Sequence, residues 1–70
     1  MKEAIKKALE NKNLTIAGFQ ASLYQEGLEI SRQGIDNWLN GSSNISTKNI
    51  PVVCKVLEID PNALFFINNA

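Results

Sequence analysis

The pattern that most restricts the fold of this 70-residue chain lies in residues 31–41. Ile35, Trp38 and Leu39 follow the spacing i, i+3, i+4, which places them on one face of a helix. The segment begins with serine, a preferred N-cap residue, and ends with glycine, the residue that most often follows the last helical turn. It therefore predicts a capped amphipathic helix whose apolar face must be covered by other parts of the chain.

The same apolar spacing predicts two helices before this segment. The first covers about residues 2–10. Thr15 is an N-cap for the second, which turns three apolar residues inward: Ile16, Phe19 and Leu23. Gly27 is the C′ residue that stops the second helix. Residues 28–30 then predict a short extended link to the N-cap Ser31.

Two further helices are predicted after Gly41. The fourth buries a set of apolar residues, namely Ile50, Val53, Cys54 and Leu57. Its start is ambiguous, because Ser46 and Asn49 are both possible caps and Pro51 fits only the first turn of a helix. Asp60 and Pro61 are typical N-cap and N1 residues of a fifth helix. No segment alternates as a strand does, so we predict an all-α fold, a compact five-helix bundle forming one domain over residues 1–70.

The composition narrows the classes of function. The chain has one cysteine and no histidine, which excludes an internal disulfide and argues against a zinc site or a Cys–His nucleophile. We therefore predict no metal, no cofactor, no catalytic residue and no enzymatic activity. Cys54 is expected to be a buried core residue, with a redox-sensing thiol as the alternative. The chain has no transmembrane-length apolar run and no signal peptide, so we expect a cytoplasmic protein.

The polar face of the helix in residues 31–41 is unusual for a solvent-exposed surface. It carries Gln33, Asn37 and Asn40 at spacing i, i+4, i+7, with Arg32 beside them. Amides and arginine are the side chains that hydrogen-bond base edges, and asparagine is a poor helix former. The alternative is an ordinary solvated face. Trp38 is expected in the core, with stacking on a base as its alternative.

A helix, a turn and an amide-faced helix form the layout of a helix-turn-helix. In order and spacing, residues 14–23, 30–35, 38–41 and 46–64 resemble the lambda-repressor-like (Cro/Xre-type) family of phage and bacterial regulators. The chain departs from the family pattern in two places. Eleven residues, 20–30, separate Phe19 from Ser31, more than is typical, so either the second helix is longer or the turn is expanded within 24–29. Ile16 stands where the family often has a glutamine that holds a phosphate.

The resemblance implies roles for individual residues. Arg32, Gln33 and Asn37 occupy base-reading positions, and Asp36 either accepts from cytosine or orients Arg32. Gly34 has no side chain, which would let the backbone approach the DNA closely. A further set is expected to contact phosphates, with a plain polar surface as the alternative: Thr15, Asn40, Ser42, Ser43, Asn44, Thr47 and Lys48.

The predicted function is sequence-specific binding of double-stranded DNA by a transcriptional regulator, with repression as the expected output. The formal net charge of the chain is zero, whereas nucleic-acid-binding proteins are usually basic. Its affinity for DNA must therefore come from base contacts and dimer symmetry more than from attraction to phosphates. We expect a homodimer on a palindromic operator, with Phe66 as a dimer contact or, alternatively, packed within its own monomer. No membrane and no small-molecule substrate are expected. The competing hypothesis is a protein-interaction or antitoxin-type module.

Overall fold

Four α-helices follow one another in residues 2–61, the part of the chain that this computed structural model describes. They are α1 (Lys2–Asn11), α2 (Ile16–Gln25), α3 (Arg32–Asn40) and α4 (Ile50–Leu57), with a 3₁₀ turn at Thr47–Asn49. No strand occurs among these residues. The predicted all-α fold is confirmed for this part of the chain. The predicted fifth helix lies outside the described residues, apart from Pro61, which is helical.

The core is formed where α1, α2, α3 and α4 meet. Ile5, Phe19, Leu23, Ile35 and Val53 have no exposed side-chain surface, and every residue predicted to face inward from α4 is buried. Residues 2–61 are compact, with a Cα radius of gyration of 10.9 Å, close to the value of about 10–11 Å expected for a domain of this size. Burial of these apolar side chains is the main stabilising term of the fold.

Trp38 belongs to this core. It is 5% exposed, and its ring meets that of Phe19 edge-on, with centroids 6.4 Å apart and planes inclined by 61°. An edge-to-face pair of this kind contributes about 0.5–1.5 kcal/mol beyond the area it buries. The prediction that Trp38 is a core residue is confirmed.

Side-chain caps begin α2 and α3 as predicted. Thr15 Oγ1 accepts a hydrogen bond from the backbone N–H of Gly18 at 3.0 Å, and Ser31 Oγ accepts from the N–H of Gly34 at 3.1 Å. Each cap satisfies one of the N–H groups that a helix leaves unpaired at its start, and each contributes about 1 kcal/mol.

The eleven residues between Phe19 and Ser31 are divided between α2 and the connection that follows it. Residues 24 and 25 complete the last turn of α2, and residues 26–30 form the connection. Gly27 has a φ of +92°, the left-handed conformation predicted for it. The backbone N–H of Leu28 donates to the carbonyl of Leu23 at 2.9 Å, and Gln20 Nε2 donates to the carbonyl of Ile30 at 3.0 Å. The connection is therefore fastened to α2 at both ends.

The chain enters α4 through the 3₁₀ turn. Ser46 and Asn49 were alternative caps, but neither side chain makes a capping hydrogen bond. Instead the N–H of Asn49 donates to the carbonyl of Ser46 at 2.9 Å, which closes the turn. Pro51 then falls in the first turn of α4, where its missing N–H has no helical partner to lose.

Two ion pairs join the helices at the surface. Lys12 pairs with Glu58, and Lys55 Nζ lies 2.7 Å from Glu26 Oε1. The hydrogen bond and positive charge of Lys12 lower the pKa of Glu58. Exposed pairs of this kind contribute little to stability, so the fold depends mainly on its apolar core.

Cys54 is buried and unpaired, as predicted. Burial raises the pKa of its thiol, and the nearby carboxylate of Asp60 raises it further. A raised thiol pKa disfavours the reactive thiolate, which matches a core residue better than a redox sensor. Within residues 2–61, no helix has both the length and the apolar character that a membrane crossing requires.

Candidate functional site

The core-facing residues of α3 fix which of its side chains face solvent. Ile35 is fully buried and Leu39 packs partly against the core, so the opposite side of the helix is directed outward. Gly41 ends the helix in the left-handed conformation, with φ +83°. This outward side contains the three residues predicted to read bases, and we call them, together with Asn40, the amide face.

The residues of the amide face are accessible in the free protein. Arg32, Gln33 and Asn40 are exposed and Asn37 is half-buried. Gln33 Nε2 donates a hydrogen bond to Asn37 Oδ1 at 3.1 Å. Gln33 retains a second N–H donor and its carbonyl oxygen, and Asn37 retains its own NH₂ group. The two amides are thus joined by one hydrogen bond while still presenting donors and acceptors outward.

Asp36 is half-buried beside this face. Within residues 2–61, no ion pair joins its carboxylate to Arg32. Of its two predicted roles, orienting Arg32 therefore has no counterpart in the free protein. Accepting a hydrogen bond from cytosine stays a prediction.

Apart from Asn40 on the amide face, the predicted phosphate-contacting residues lie in three places. Thr15 stands at the start of α2, where its hydroxyl oxygen already accepts the capping hydrogen bond. A second group follows α3, in the exposed loop that contains Ser42, Ser43 and Asn44. The third group, Thr47 and Lys48, is exposed on the 3₁₀ turn.

The loop after α3 is ordered by the end of that helix. Asn40 Oδ1 accepts from the backbone N–H of Ser42 at 2.8 Å, and the N–H of Ser43 donates to the carbonyl of Asn37 at 3.2 Å. The oxygen of Asn40 is therefore occupied, and its NH₂ group is what it can offer to a phosphate.

The role expected for Gly34 is wrong. A Cβ atom at this position would lie 2.9 Å from Cγ1 and 3.1 Å from Cδ1 of Ile30. The space that the glycine leaves is filled by a side chain of the same protein and does not admit the DNA backbone. Gly34 instead allows the connection between α2 and α3 to pack closely against α3.

Sequence reasoning missed one basic residue near the amide face. A Cβ atom on Gly41 would lie 3.2 Å from Cδ and 3.5 Å from Nζ of Lys2. The ammonium group of α1 is thus held beside the carboxyl end of α3, where a positive charge interacts favourably with the helix dipole. Lys2 and Gly41 are far apart in the chain, so no local pattern could have indicated their proximity.

The predicted dimer contact, Phe66, lies outside the described residues. Among residues 2–61 no group of three or more metal-ligating side chains comes together. Comparison of the chain with protein-family models, with curated proteins and with solved structures gives no match.

Proposed function

We propose that this chain is a sequence-specific, double-stranded-DNA-binding regulator that acts in the cytoplasm as a repressor. In this proposal α2 and α3 form a helix-turn-helix, and the amide face of α3 enters the major groove. The observation that carries the proposal is the hydrogen-bonded pair Gln33 and Asn37 on the exposed side of a helix capped at its start.

The geometry of the pair suits adenine. Adenine presents one acceptor, N7, and one donor, N6–H, in the major groove. Gln33 can satisfy both with its free N–H and carbonyl oxygen while it stays bonded to Asn37. The bond to Asn37 favours one orientation of Gln33 before DNA arrives, which reduces part of the side-chain entropy lost on binding. Arg32, the first residue of α3, would bind guanine O6 and N7 in this proposal.

A cation lies near each end of α3, which supports the proposed insertion of its amide face into the major groove. Arg32 begins the helix, and Lys2 lies beside its other end. Nine helical residues span about 13 Å, close to the width of about 12 Å of the major groove. Lys2 can therefore contact a phosphate at the edge of the groove while Arg32 reads a base within it.

The charge balance sets an upper limit on phosphate contacts. With Arg32 assigned to guanine, Lys2 and Lys48 are the cations that this proposal assigns to phosphates. At about 0.9 per neutralised phosphate, two contacts give a slope of log K against log salt of about −1.8 per protomer. A slope this shallow means that phosphate contacts contribute little to binding. Affinity and specificity must then come from base contacts. A homodimer on a palindromic site, with Phe66 as a contact between protomers, would double the number of bases read.

Selection from a random duplex library, followed by fluorescence anisotropy on the enriched duplex, tests the proposal. Each of Gln33→Ala and Asn37→Ala should weaken binding by about 5- to 150-fold, the loss of one good base contact. Because the two amides bind each other, the double variant should lose less than the product of the single losses. Asn11→Ala, which removes an exposed amide at the far end of α1, should leave binding unchanged. The proposal fails if no duplex is enriched at low salt, or if Asn11→Ala weakens binding as much as Gln33→Ala.

A further inference from the structure

The outer side of α2 and the connection that follows it border a groove that the proposed DNA interface does not use. It has a volume of about 540 Å³. Ala17 and Ala21, one turn apart on α2, are small and leave room for it, and Ile30 adds an apolar wall. None of Arg32, Gln33 or Asn37 lines the groove.

The groove is formed before any partner binds. The hydrogen bonds from Gln20 to the carbonyl of Ile30 and from Leu28 to the carbonyl of Leu23 hold the connection against α2. A preformed groove requires little reordering of the protein when it is filled.

Two side chains give the groove its chemistry. Tyr24 is 67% exposed, the one large apolar side chain of residues 2–61 with so much surface in solvent. Glu29 is the only charged residue that lines the groove. Its carboxylate makes no ion pair or hydrogen bond to any other side chain between residues 2 and 61. An aromatic ring and an unpaired carboxylate that line the same groove can both attract a guanidinium group, the ring through its face and the carboxylate through its charge.

We propose that this groove binds a partner protein through an arginine side chain that lies between Tyr24 and Glu29. Nucleic acid is the wrong occupant, since the only charge in the groove is negative and would repel phosphates. The groove is also open along one side, whereas pockets for small molecules enclose most of their ligand. Tyrosine and arginine are both enriched at the centres of protein–protein interfaces.

The experiment begins with a phage-displayed library of random 12-residue peptides selected against the whole chain. The best peptide and a copy with citrulline in place of arginine, which keeps the shape and removes the charge, are then titrated into ¹⁵N-labelled protein. We expect enriched peptides to contain arginine and to shift the amide signals of Ala21, Glu29 and Ile30. Binding should weaken at least fivefold with the citrulline peptide, with Glu29→Gln and with Tyr24→Ala.

Matched variants separate this site from the rest of the surface. Glu10→Gln removes an exposed carboxylate on α1 and should change nothing, and Gln33→Ala should bind the peptide normally whether or not the chain binds DNA. Equal weakening by Glu10→Gln and Glu29→Gln, the absence of enriched peptides, or shifts confined to other surfaces would overturn the proposal. Equally tight binding of N-acetyl-arginine methylamide would assign the groove to a small organic cation instead and would also overturn it.

Discussion

The contact between Gly34 and Ile30 makes a prediction whose sign opposes the usual rule for helices. Replacing glycine by alanine inside a helix normally stabilises a protein by about 0.5–1 kcal/mol. In this chain the new methyl group would lie 2.9 Å from Cγ1 of Ile30, an atom near the base of a stiff, β-branched side chain. The carbonyl of Ile30 is also bonded to Gln20, which restrains the backbone from moving away.

The magnitude follows from these two opposing terms. Forcing an extra methyl group into packed surroundings costs about 1–3 kcal/mol. Gly34→Ala should therefore leave stability unchanged or lower it by up to about 2 kcal/mol. In an Ile30→Ala background the obstruction is gone, and the same substitution should stabilise the fold by about 0.5–1 kcal/mol. The coupling between the two positions is then about 1–3 kcal/mol.

Urea unfolding of the four proteins in this cycle measures the coupling. Far-ultraviolet circular dichroism reports the helices, and the fluorescence of Trp38, which is buried against Phe19, reports the core. Coincident transitions by the two probes establish that a single free energy of unfolding is meaningful. A gain of about 1 kcal/mol for Gly34→Ala in the otherwise unchanged chain would refute the argument that Ile30 fills this space.

Three further predictions concern backbone strain, pH and thiol reactivity. Gly27→Ala and Gly41→Ala should each lower the free energy of unfolding by about 1–2 kcal/mol, because both residues have positive φ. Thermal unfolding should show this loss even for Gly27, where an added methyl group would meet no neighbouring atom. Because folding lowers the pKa of Glu58, the pair with Lys12 contributes its full stability above the pKa of an unfolded glutamate. This contribution is lost as the pH falls through the pKa of Glu58 in the folded protein. ¹³C-detected titration should show that Lys12→Met returns this pKa to the ordinary range, and an unchanged pKa would contradict the pairing. In the folded protein, Cys54 should react with iodoacetamide at pH 8 about 100-fold more slowly than in the protein unfolded by urea, as expected for a small domain stable by about 3 kcal/mol. Equal rates in the two states would show that the fold does not protect the thiol.

Features determined within a few residues were predictable from the sequence. The caps Thr15 and Ser31 each bond an N–H three residues ahead, and glycine at the two helix ends follows from a backbone conformation that other residues adopt at a cost. Helix periodicity identified most of the buried residues because each helix has one apolar face, although Ile16, also expected to face inward, is only partly buried. These local rules were sufficient for the all-α fold and for the exposure of Gln33.

Features that depend on contacts between distant segments were not predictable. Nothing near Lys2 indicates that it lies against Gly41, and the hydrogen bond from Gln20 to Ile30 crosses a non-helical connection. Gly34 was misinterpreted for the same reason, since its neighbour in space is fixed by that connection. The groove beside Tyr24 arises from the path of the same few residues, and periodicity contains no information about that path.

The hydrogen bond between Gln20 and Ile30 also affects how binding measurements on this protein should be interpreted. It joins an amide to a backbone carbonyl, and neither group is charged or titrates near neutral pH. Added salt screens ion pairs but has little effect on such a bond. The attachment of the connection to α2 should thus be the same at low and high ionic strength. The slope of a salt titration would then count the ions released on binding, without a hidden contribution from reorientation of α3.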